Sequence, residues 1–201
     1  MESNFQRFAH YLPPYLFPEQ KERLFDELKD FPKKVNYYLN SHFAEDEMLQ
    51  GDGWGEVAYY QANTGGEIKV KGIILSNSCD ISEENKRAIP MRILFSPLID
   101  LNKYLDRIEK IKGEAAASSV GEAIRKQEIT SILYLPESER IKNESIASLD
   151  NIVSLPRDFF LKEKPEKLFC LSQSGFYLFV IKLAIHLTRF QEGVTRFDGS
   201  S

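Results

Sequence analysis

The stretch from Val70 to Ser82 (VKGIILSNSCDIS) constrains this chain more than any other. Ile68 and Val70 alternate with polar neighbours, the pattern of a strand with one wet face. The alternation then gives way to the unbroken run Ile73-Ile74-Leu75, which a strand carries where both of its faces are covered. Whatever fold the chain adopts must take this strand from a half-exposed to a buried position. The run ends abruptly in Ser76, Asn77, Ser78, Cys79 and Asp80. A buried strand fixes the position of such residues while the loop supplies chemistry, so they are the first candidates for a site.

The neighbouring sequence is strand-like. Gly51-Asp52-Gly53-Trp54-Gly55 is too rich in glycine for a helix and favours turns. Glu56 to Gln61 reads as a strand, Asn63-Thr64-Gly65-Gly66 as a hairpin turn and Glu67 to Leu75 as the returning strand. Ala88 to Phe95 is the next strand, with Pro90 marking an edge or bulge and Ser96-Pro97 its end. Asp100 to Lys112 has helical spacing in Leu101, Tyr104, Leu105, Ile108 and Ile111. The small, Ala/Ser-rich run from Gly113 to Gly121 reads as a loop, followed by a short helix.

Further on, Ser131 to Leu135 is a strand, Pro136 to Glu144 a polar excursion, and Ser145 to Leu155 a strand or bulged strand. Asp158-Phe159-Phe160 turns into the charged link from Lys162 to Lys167, and Leu168 to Leu171 is a short strand. Ser172 or Ser174 then caps a last helix reaching about Phe190. That helix is apolar on nearly every side, the mark of a buried element.

At the other end, residues 11–18 hold three of the nine prolines and read as extended. Pro18 and Glu19 suit the start of a helix bearing Leu24, Leu28 and Phe31 on one face. A second short helix carries Val35, Tyr38, Leu39 and Phe43. The predicted organisation is one α+β domain over residues 1–201. It has a helical N-terminal extension (1–45), a β-rich core (51–175) with a helical insertion (100–128), and a closing helix (174–190).

Composition narrows the function classes. The formal charge is −4 and the isoelectric point about 5.5, so there is no global basic field to draw nucleic acid. The N-terminus lacks the apolar core of a signal peptide, and the apolar run from Phe176 to Leu187 is too short to span a bilayer. Two cysteines are too few for a disulfide framework. The chain therefore reads as soluble and cytoplasmic, without membrane contact.

Candidate chemistry centres on Cys79 and Asp80. A cysteine nucleophile needs a nearby His, Lys or helix N-terminus, and the sequence places none of His10, His42 or His186 beside Cys79. Asp80, followed by Ile81 and Ser82, can cap a turn by accepting backbone N–H bonds. Glu45-Asp46-Glu47 with Asp52 reads as a solvated acidic face. No Cys or His pair has ligand spacing and the glycine cluster lacks the Lys of a phosphate loop, so neither metal nor cofactor is expected. His186 reads as a hydrogen-bonded core histidine, with Lys182 and Arg189 reaching past it to the surface.

The order Gly51-Asp52, strand, glycine turn, Lys71-Gly72-Ile73-Ile74-Leu75-Ser76-Asn77 and a later strand ending in Pro97 resembles the PemK/MazF toxin superfamily over about residues 51–100. The resemblance implies an SH3-like, strongly bent barrel or sheet, and active members of that family cut RNA. They commonly carry Arg-Pro before the central strand, the Arg serving catalysis, and often a Thr shortly after the Pro of the next strand. Here Lys71-Gly72 keeps a positive charge but loses the bidentate guanidinium, and Leu98, Ile99 and Asp100 follow Pro97. The resemblance thus implies the barrel rather than the cleavage.

The leading expectation is a non-catalytic binding or regulatory protein of bacterial or phage origin, recognising a protein partner through the loop 76–82. Its candidate binding residues are Lys71, Ser76, Asn77, Cys79, Asp80, Arg87 and Arg92. Two other readings stay open. An endoribonuclease of the toxin type needs a basic cleft around Lys71, Arg87 and Arg92. A cysteine-dependent enzyme needs an imidazole within hydrogen-bond reach of Cys79.

Overall fold

A computed structural model describes residues 36–39, 47–61, 65–85, 88–162 and 164–188, together with Glu19. The helix expected from Pro18, and with it Arg87, His10, His42 and Arg189, lie outside the described residues. Along the chain run β1 (Gly53–Gln61), β2 (Gly66–Ile74), α1 (Ser78–Ile81), β3 (Arg92–Asp100), α2 (Leu101–Lys112) and α3 (Glu114–Arg125). They are followed by β4 (Ile132–Leu135), β5 (Ser145–Ser148), β6 (Val153–Pro156), α4 (Arg157–Lys162), β7 (Glu166–Phe169) and α5 (Gln173–Thr188). The fold is α+β. Its seven strands form one antiparallel sheet in the order β4-β5-β3-β2-β1-β7, with β6 beside β3, and the sheet stays open rather than closing on itself.

The unbroken apolar run is explained by two cores, one on each side of β2. Successive residues of a strand point to opposite faces. Ile73 joins a cluster with Leu133, Ile146, Phe169 and Phe179, while Ile74 joins Trp54, Ile93, Phe95 and Phe160. Both isoleucines are fully buried. On energetic grounds they are among the most costly positions to truncate, at about 2–5 kcal/mol for an Ile→Ala change.

β3 is the spine that joins the two parts of the sheet, and it overturns the expected strand end at Ser96-Pro97. It pairs with β2 from Phe95 to Pro97 and with β6 from Arg92 to Phe95, then takes β5 as partner from Leu98 to Asp100. Pro97 falls between the β6-paired and β5-paired residues. A proline lacks the N–H that a ladder needs, and a change of partner is where that loss costs least. The strand therefore runs through Pro97 and starts later than predicted, at Arg92.

Other corrections have equally local causes. The expected loop from Gly113 to Gly121 is mostly helix α3, because Glu114 and the alanines after it are strong helix formers. The small residues serve packing instead: a Cβ on Gly121 would lie 3.1 Å from Leu105, so the glycine lets α3 lie close to α2. The single strand expected over 145–155 is two strands, β5 and β6, with a turn between them. The turn expected at 158–160 is helix α4. Tyr38 and Leu39 are not helical: Tyr38 bridges Leu171, and the Leu39 amide donates to the Cys170 carbonyl at 3.0 Å.

The closing helix α5 spans Gln173–Thr188, and its cap is Ser172, whose Oγ accepts from the Gly175 amide at 3.1 Å. On the far side of the sheet the outward backbone of β4 is sealed by a side chain. The Gln127 amide donates to the Tyr134 carbonyl at 2.7 Å and accepts from the Tyr134 N–H at 3.1 Å, as a neighbouring strand would.

Candidate functional site

The strand-end loop is fixed by a hydrogen bond at nearly every step. Leu75 continues the ladder by donating to the Leu94 carbonyl at 2.8 Å, and the Ser76 hydroxyl takes the next bond by accepting from the Leu94 amide at 2.7 Å. Asn77 caps α1, its side chain accepting from the Cys79 amide at 3.0 Å. Behind the loop, Gln50 acts as a clip: its amide N–H donates to Ser78 Oγ at 2.9 Å and its Nε2 to the Leu75 carbonyl at 2.8 Å. Ile81 is driven into the second core. Arg157 closes the far end by donating to the Ile81 carbonyl at 3.2 Å and to Glu83 at 2.7 Å.

This division of labour separates the predicted site residues. Ser76 is buried and structural, and Asn77 spends its side-chain oxygen on the cap. Asn77, Cys79 and Asp80 are the exposed members of the loop. Lys71 and Arg92 are both exposed but stand apart. The register pairs Gly72 with Pro97, which sets Lys71 beside the Pro97–Leu98 end of β3, whereas Arg92 begins that strand. At about 3.3 Å per residue the two lie roughly 16–20 Å apart along the strand. The Arg92 guanidinium is also engaged, donating to Ser154 Oγ at 2.8 Å and to the Ser154 carbonyl at 2.7 Å.

Beside the loop opens a cleft of about 450 Å³ that sequence reasoning missed. Ser78 and Gln50 line it on the loop side, Leu171 and the α5 residue Phe176 also line it, and Asp52, Lys167 and Cys170 form its floor. Asp52 and Lys167 make an ion pair at 2.8 Å, with side chains only 3% and 1% exposed. The ammonium also donates to the Glu47 carbonyl at 2.6 Å and sits 5.7 Å from the centre of the Trp54 ring. The Asp52 carboxylate accepts in addition from the Leu49 amide at 2.9 Å.

Asp52 is therefore no part of a solvated acidic face, and Lys167 no part of an exposed link. Burial raises the Asp52 pKa, and the hydrogen bonds and charge of Lys167 act against that rise. Burial and the adjoining Asp52 carboxylate push the Cys170 thiol up to about 12. Cys170 is thus a protonated, unreactive thiol at neutral pH. One sequence signal marks this floor: Asp52 stands between two glycines that allow close approach. Lys167 gives none, because a bulge in β7 puts it beside Trp54 while Phe169 lies over Gly53 on the other face.

Among the described residues no three His, Cys, Asp or Glu side chains gather as a metal site, and no helix is long and apolar enough to cross a membrane. His186, the one histidine in those residues, pairs with Asp150 at 3.1 Å. Comparison of the chain with protein-family models and with curated proteins finds no match.

Proposed function

We propose that this chain is a non-catalytic binding or regulatory protein that recognises a protein partner through the loop 76–82. One observation carries the reading: the loop's frame is saturated with internal hydrogen bonds, yet Asn77, Cys79 and Asp80 are exposed on it. A surface fixed in this way loses little conformational freedom when a partner binds. The separation of Lys71 from Arg92 supports binding over RNA cleavage, which needs converging cations at the scissile phosphate. The PemK/MazF-like, strongly bent sheet and a cytoplasmic setting in a bacterium or phage belong to the same proposal. The hand-off of β3 from β6 to β5 is what supports the bend.

The test uses Cys79 as a natural handle. The chain has two cysteines and Cys170 is buried, so a photoactivatable maleimide attaches at Cys79. Crosslinking in extract of the source cells is expected to capture a defined protein. Purified Asp80→Ala is expected to bind that protein at least tenfold more weakly while keeping its melting temperature. Unchanged affinity in Asp80→Ala rejects the loop as the recognition surface.

A further inference from the structure

We propose that Lys182 and the two carbonyls that it holds form a proton-sensitive latch between α5 and the turn that follows α3. Lys182 lies in the middle of α5 and is 5% exposed, so its stem does not carry the ammonium to the surface as the sequence suggested. Its Nζ donates to the Gln127 carbonyl at 3.0 Å and the Ile129 carbonyl at 2.8 Å. Gln127 is the residue beyond the C-cap of α3 and adopts φ 59°, a left-handed conformation that costs a side-chain-bearing residue energy and persists where its surroundings hold it. Its side chain also donates to the Tyr37 hydroxyl at 3.2 Å and seals β4 through Tyr134. One amine therefore ties α5 to α3, to β4 and to the segment around Tyr37.

Among the described residues the latch contains no counter-charge. On the α3 side the charged neighbours are Arg125, paired with Glu144, Lys126, paired with Glu122, and exposed Glu128. On α5 itself His186 pairs with Asp150, and from the sheet come the phenols of Tyr37 and Tyr134. The two carbonyl oxygens replace part of the hydration that the ammonium loses on burial, and among the described residues no carboxylate reaches it to replace the rest. Burial accordingly lowers the Lys182 pKa to about 7, and the closed latch favours the neutral amine.

The sign follows from linkage. Opening the latch exposes Lys182 to water, where its pKa returns to about 10.4, so opening takes up a proton between about pH 7 and pH 10. The open fraction is expected to rise about tenfold from pH 8 to pH 6 and to level off at lower pH. The His186–Asp150 contact, at 3.1 Å, is made from the same helix as Lys182. Asp150→Asn is the background that removes it.

Amide hydrogen exchange of the full chain, corrected for intrinsic rates, reads the latch at α5 and at residues 127–135. In the Asp150→Asn background, protection is expected to fall from pH 8 to pH 6, and Lys182→Met is expected to abolish that dependence. An identical pH dependence in Lys182→Met overturns the proposal. A direct reading comes from the nitrogen resonance of the Lys182 side chain. Titration near neutrality supports the latch, and titration at the ordinary lysine value overturns it, whether or not the Met variant folds.

Discussion

The ring of Phe95 occupies the space that a side chain at residue 72 would need: a Cβ built on Gly72 falls 2.0 Å from its Cζ. Gly72 is thus the plate on which the second core rests. Neither backbone of this pair can retreat, because Gly72 is paired to both Trp54 and Pro97. Gly72→Ala is expected to destabilise the protein by about 3 kcal/mol through overpacking. Gly66→Ala, where a Cβ meets nothing within 4 Å, is expected to stay within about 0.5 kcal/mol of wild type. Denaturant unfolding of the two variants checks both figures.

The buried ion pair predicts an asymmetry. Lys167→Met leaves the Asp52 carboxylate without its partner and is expected to cost about 3–5 kcal/mol. Lys167→Met combined with Asp52→Leu removes both charges and is expected to recover much of that loss. A double variant as unstable as the single one would show that the pair's hydrogen bonds, to Leu49 and Glu47, outweigh its charges.

Acid sensitivity is expected from Glu144. The Arg125 guanidinium, bonded at 2.6 and 2.8 Å, and the Tyr134 hydroxyl at 2.6 Å hold its carboxyl below the usual range. The folded pKa lies below the unfolded one, so the stabilisation is complete above about pH 4.5 and is lost as the pH falls through the folded value. Glu144→Gln is expected to lose about 1 kcal/mol at pH 7, a figure reduced for the solvent around Arg125. Unfolding midpoints of the variant and wild type should converge by pH 3.

The two thiols should differ sharply. Cys79 is exposed, whereas Cys170 is buried with its pKa pushed up to about 12. A thiol reagent at neutral pH is expected to titrate one group promptly and the second only on unfolding. Two fast groups would mean that the cleft floor opens on the timescale of labelling.

Local pattern made a good part of this fold legible. The hairpin, the helix at Leu101–Lys112 and the closing helix follow from periodicity and caps, since Asp100 and Ser172 cap their helices as their residue types suggest. What stayed hidden depends on partners distant in sequence. Pro97 looks like a strand terminator until β5 and β6 are known to divide β3 between them. Gly121 looks like a loop residue until Leu105 is set against it. The loop 76–82 was visible as a polar cluster, but the cleft beside it was not. Its floor joins Asp52 to Lys167 across more than a hundred residues, and no spacing rule connects a charge to a partner so far along the chain.

The Gln127–Tyr134 contact also bears on how copies of this chain meet. An open sheet presents its outer strands as templates, and any extended segment with free amides can add to them. At β4 a glutamine side chain already fills the next place in the ladder, and the Ile132 amide is taken by the Ile129 carbonyl at 3.2 Å. At β7 the Arg140 guanidinium holds the Lys167 carbonyl at 2.7 Å. Both outer strands of the main path thus carry side-chain stoppers, and lateral growth of the sheet into a continuous array is blocked where it would begin.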